Sequence, residues 1–138
     1  WQQNQRLRRA LRVLVQAYST YRRVVQNEAD ANQAGLDLLY AINSLLKRVA
    51  LVHYPEHEIA ALSGTAWLEF LDHSGNTRYF SKGVGAVLGD GEYRPVFDAD
   101  AHALYSLTKA WIEKQYRRKK SARKPFAPVA SGMSGAGA

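Results

Sequence analysis

The stretch RLRRALRVLVQAYSTYRRVV, residues 6–25, decides the fold class. Leu7, Leu11, Leu14, Tyr18, Tyr21 and Val25 recur by alternating steps of four and three, one apolar stripe at helical period. Arg6, Arg8, Arg9, Arg12, Arg22 and Arg23 fall mainly off that stripe. The spacing predicts a long amphipathic helix from Gln2 to Gln26. Its arginine face is either a solvated surface or a face for lipid headgroups or a partner.

Downstream the same period returns. Leu36, Leu39, Tyr40, Asn43, Leu46, Val49 and Ala50 predict the inward face of a second helix, from about Asp30 to Val52. Pro55 pushes the residue before it away from helical angles and suits a first helical turn, so a short helix over 56–62 is expected. Ser63 is placed to cap a fourth helix over 64–72, with Trp67, Phe70 and Leu71 at i, i+3 and i+4 and with Glu69 and Asp72 facing out. Gly75 is expected at its C-terminal end. Residues 76–97 read as turns, with Gly83, Gly85, Gly89 and Gly91 around one short helix near 84–88, and with a possible short strand at Arg78-Tyr79-Phe80. Asp98 is the expected cap of the last helix, which is striped by Leu104, Leu107 and Trp111. The sum is an all-α, compact helical bundle with about four principal helices and a glycine-containing loop region. Leu11, Leu46, Trp67, Phe70, Leu71, Leu107 and Trp111 are its candidate core. The domain is expected over 1–118, with residues 1–12 forming a basic start, and residues 119–138 forming a basic and then Gly/Ser/Ala-rich tail.

A chain of 138 residues fits one domain that buries a real core, and three Trp with eight Tyr supply bulky material for it. The lack of Cys rules out disulfides, a thiol nucleophile and thiolate metal sites. A formal charge of +7 invites a nucleic-acid reading, so its distribution matters. Residues 1–27 hold six Arg and no acid, residues 28–108 balance to −6, and residues 109–138 to +7. The result is an acidic body between basic ends, whereas a duplex-binding domain more often spreads its cations over one folded face. The Arg117–Lys124 segment is open to three readings: a solvated helix end, attraction to anionic lipid, or nucleic acid. Trp1 is no native start, so a preceding segment is expected. No run of 18 or more apolar residues is present.

Candidate chemistry is sparse. His53 and His57 are four apart, with Glu56 and Glu58 between and beside them, but Pro55 interrupts the shared helical face a zinc pair needs. The glycines at 83, 85, 89 and 91 match no phosphate-loop spacing. Ser63, Asp72 and His73 lack the setting of a hydrolase nucleophile. Trp67, Phe70 and Trp111 fall at core spacing and not as a base-stacking platform. No cofactor, metal or catalytic group is expected.

The segments LLKRVAL (45–51), Tyr54-Pro55 and ALSGTAWLEFLD (61–72), with Tyr93-Arg94-Pro95 and the closing helix through Trp111-Ile112, resemble an uncharacterised proteobacterial domain family. Its genes lie beside those of MoxR-type AAA+ ATPases and Bat-type von Willebrand factor A proteins. The resemblance covers roughly residues 5–118. It implies a membrane-anchored protein with Trp1 near the bilayer interface and Arg6, Arg8, Arg9 and Arg12 as a positive-inside flank at the cytoplasmic face of the inner membrane. It further implies a non-catalytic adaptor or scaffold partnering a von Willebrand A-domain protein or a MoxR-type ATPase. The alternative is a nucleic-acid-binding helical domain that uses the basic terminal segments.

Overall fold

The computed structural model describes residues 1–89 and 95–117. Among the described residues there are five α-helices: α1 (Gln2–Val24), α2 (Ala31–His53), α3 (Glu56–Ile59), α4 (Gly64–Gly75) and α5 (Ala101–Arg117). Two 3₁₀ segments, Glu28–Asp30 and Val84–Gly89, complete the order. Among the described residues there is no strand, and Arg78-Tyr79-Phe80 runs through bends and turns. The fold is all-α, with four long helices.

α2 is the central element, packed against α1, α3, α5 and the Val84–Gly89 segment. Its buried face therefore exceeds one narrow stripe: Leu38, Leu39, Ile42, Leu45, Leu46, Val49, Ala50 and His53 are all covered. Tyr40, expected on that face, is 62% exposed, because the face centres on Ile42, Leu46 and Val49 and leaves position 40 on the far side. α1 buries Ala10 and Leu14 fully and rests Leu7, Leu11, Tyr18 and Tyr21 against the core edge.

α4 and α5 approach closely. A Cβ on Gly75 would stand 2.7 Å from Trp111 Cδ1, so only glycine admits the Trp111 ring there. α4 accordingly runs through Gly75, and the left-handed residue that ends it is Asn76, at φ 51°, one position after the glycine expected to do so. Ser63 occupies the N-cap position of α4, but its side chain makes no capping bond. At α5 the cap is Asp100, whose Oδ1 accepts the Ala103 N–H at 3.0 Å, and not Asp98. The difference is two residues, within the ordinary slack of a terminus rich in Asp.

The candidate core residues divide. Leu46, Trp67, Phe70, Leu71 and Trp111 are buried, whereas Leu11 and Leu107 are half-buried at the rim. Several polar groups inside the core pair with one another across helices. Trp67 Nε1 donates to Asn43 Oδ1 at 2.8 Å, and Trp111 Nε1 to Ser74 Oγ at 2.9 Å. Tyr54 Oη donates to Gln115 Oε1 at 2.8 Å, and Gln115 Nε2 to the Ser74 carbonyl at 3.0 Å.

Candidate functional site

Among the described residues, a concave surface follows the seam between α1 and α2. Near one end is a groove of about 540 Å³, floored by Ala17, Ala34, Leu38 and Ala41, with Asp30, Gln33 and Asp37 on its α2 lip. Near the other end is a second groove of about 460 Å³, floored by Ala10, Leu45 and Val49 and edged by Arg6, Arg9, Arg48, Val52 and Tyr116. Val13 lines both, so the two form one trough. Val13 is 39% and Val52 49% exposed, large apolar surface left open to water.

Local sequence explains the trough. Val13 lies off the Leu7–Val25 stripe and so cannot turn fully inward. Ala17, Ala34 and Ala41 are too short to fill the space between two helix backbones. The lips differ in charge because Asp30 closes the 3₁₀ segment before α2, Asp37 lies early in α2 and arginines lie early in α1, and the two helices run antiparallel about a short connection. Gln33 Nε2 donates to Asp37 Oδ1 at 2.8 Å and holds that carboxylate on the lip. At the opposite end the Tyr116 phenol has its pKa raised, first by burial, with the Arg6 charge acting the other way.

The other sequence candidates separate in space. Trp1 is 84% exposed, and Arg8 and Arg12 are exposed too, while Arg6 and Arg9 border the trough beside Arg48. All four arginines at the basic start of α1 are exposed, Arg6 and Arg9 on the side that borders the trough. His53 is buried with its ring edge-on to Tyr116 at 4.4 Å, and His57 is exposed on α3. Among the described residues no three or more His, Asp or Glu gather where a metal ion could be held.

Asp72 does not simply face out: Oδ1 accepts the Phe80 N–H at 2.9 Å, and Oδ2 accepts the Ser81 N–H at 3.1 Å and the Ser81 hydroxyl. It anchors a loop, a role a carboxylate with free backbone donors downstream can take, and one that periodicity does not reveal. Gly83 and Gly85 sit tight against Tyr79 and Phe80. The expected tail over 119–138, the Tyr93-Arg94 pair and all of the Arg117–Lys124 cluster except Arg117 lie outside the described residues. Among the described residues no helix is long and apolar enough to cross a membrane.

A family model described as a domain of unknown function, DUF4381, matches residues 1–114. The chain belongs to the DUF4381 family. No curated protein and no solved structure matches it. The DUF4381 match takes in all of α1 to α4 and most of α5, so every trough residue that α1 and α2 supply lies within the family region, and Tyr116 lies just past it.

Proposed function

We propose that this DUF4381 domain is a non-catalytic adaptor whose α1–α2 trough docks a partner protein. The carrying observation is the trough itself: open, apolar-floored, and lipped by Asp30 and Asp37 on the acidic body. Enzyme sites draw convergent polar groups into a pocket. Here the acid that could have served such a site, Asp72, is occupied by the 80–81 backbone. The resemblance noted above supplies the partner class, a von Willebrand A-domain protein or a MoxR-type ATPase, and the location, the cytoplasmic face of the inner membrane. Exposed Trp1, Arg8 and Arg12 suit the membrane side of that arrangement.

A pull-down with the purified domain, with and without residues 118–138, tests this against the neighbouring-gene proteins and random-sequence DNA in parallel. The expected result is retention of an operon protein by both forms, weakened in Asp37→Lys. DNA retained at about 0.15 M salt, with no operon protein bound and with the DNA signal lost on tail deletion, would install the nucleic-acid reading instead.

A further inference from the structure

The trough is electrically polarised along its length. Asp30 and Asp37 stand at one end, Val13 and the alanines in the middle, and Arg6, Arg9 and Arg48 at the other. Among the described residues these three guanidiniums enter no ion pair or hydrogen bond with the protein. Three exposed cations without a carboxylate partner thus edge an apolar floor, a setting that suits an anionic group laid across it.

We infer that the occupant is a single amphipathic helix of the partner, lying along the α1–α2 seam with its acidic end over Arg6, Arg9 and Arg48 and its basic end over Asp30 and Asp37. This rests on the trough being the docking surface proposed above. Three considerations define the helix. From Asp37 to Arg48, α2 spans about 16 Å at 1.5 Å per residue, so about three turns of a bound helix reach from one charged end to the other. The exposed Val13 and Val52 and the short floor residues leave room for an apolar stripe at i, i+3/i+4 and i+7, the anchor pattern of helices that bind in grooves. A helix is also most stable by itself with acids in its first turn and bases in its last. With that order the occupant runs parallel to α1, its N-terminus over the arginines.

Flat apolar grooves select poorly between partners, because hydrophobic burial is non-directional. Charges of opposite sign at the two ends reject a helix laid in backwards, since the reversed orientation sets like charge against like. The polarity therefore encodes direction as well as affinity.

The test uses two synthetic peptides of identical composition and about 14 residues, each with a Leu stripe. One has Glu in its first turn and Lys in its last, and the other has the reverse. Binding to the full chain is followed by fluorescence anisotropy. The forward peptide is expected to bind at least about tenfold more tightly, the equivalent of about 1.4 kcal/mol. In the doubly reversed domain, Asp37→Lys with Arg48→Glu, the preference is expected to invert. Both residues are exposed, and an unchanged melting temperature shows that the variant folds. Val13→Asp, which charges the floor, is expected to abolish both signals.

Equal binding of the two peptides, no binding of either at about 0.1 mM, or a preference untouched by the double reversal would overturn the proposal. So would mutual association of two copies of the domain that the double reversal disrupts, because the trough would then be a self-interface. The adaptor reading fails separately. If operon proteins bind the domain but ignore Asp37→Lys and Arg48→Glu, an adaptor role stands, while docking in the trough and the helix both fail.

Discussion

Trp67 shows how much one side chain does in this core. It is 2% exposed, stacks on Phe70 with centroids 5.6 Å apart, and carries Lys47 Nζ 4.9 Å above its ring. Trp67→Ala removes that contact surface and leaves the Asn43 carbonyl oxygen without its indole donor. A loss of about 3–5 kcal/mol is expected, read by urea unfolding; an unchanged midpoint would place the ring outside the core. Its burial was legible, since i, i+3 and i+4 aromatics have little use on a solvated face. Its hydrogen bond to Asn43 was not, because a partner on another helix depends on tertiary placement.

Tyr116 gives a residue-scale prediction of different character. Burial raises its pKa above 10.0, so the folded protein holds that proton at pH values where the unfolded chain has released it. By linkage, the stability associated with this phenol is fully present below about pH 10 and is lost as pH climbs through the folded-state value. Unfolding free energy measured from pH 9 to 11.5 should fall less steeply in Tyr116→Phe than in the parent. Arg6→Gln should shift the Tyr116 titration further upward, since the Arg6 charge favours the phenolate.

At the scale of elements, termini and irregular segments are where structure and sequence part. Helix interiors followed from periodicity. Between 76 and 97 the short helix read near 84–88 is present as the 3₁₀ segment Val84–Gly89, while the bends before it and the described residues 95–97 take their order from distant anchors. Asn32 is one: it accepts the Phe97 N–H at 2.8 Å and donates to the Pro95 carbonyl at 3.1 Å, while Phe97 presses on Gly35 so closely that a Cβ there would lie 2.2 Å away. Asp72 is the other. Asp72→Ala should release Phe80 and Ser81 while leaving α2 packed. Hydrogen exchange should accelerate by tenfold or more at those two amides and stay unchanged at Leu46 and Val49. Equal acceleration everywhere would show that the loop anchor supports the whole bundle.

For the molecule as a whole, the charge map was readable and the trough was not. Composition places an acidic body between basic ends, but only the antiparallel pairing of α1 and α2 brings Arg6 and Arg9 beside Arg48 and sets all three opposite Asp30 and Asp37 along one groove. The off-stripe Val13 was the one hint in the sequence. Complementary charge steers encounter more than it holds the complex. Association with an operon partner, followed by stopped flow, should therefore slow as salt passes about 0.15 M, where the Debye length is near 8 Å, while dissociation changes little. A rate constant flat from low to high salt would remove charge from the recognition.

The paired polar groups at the meeting of α2, α4 and α5 have a further consequence. An all-hydrocarbon interface tolerates a helix rotated or slid by part of a turn, since one aliphatic contact replaces another. Tyr54, Gln115, Ser74 and Trp111 do not permit that exchange: their donors and acceptors meet across the three helices, and any other alignment strands several of them in the interior. The layer thus works as an index mark among interchangeable surfaces, selecting a single arrangement from many of similar oiliness.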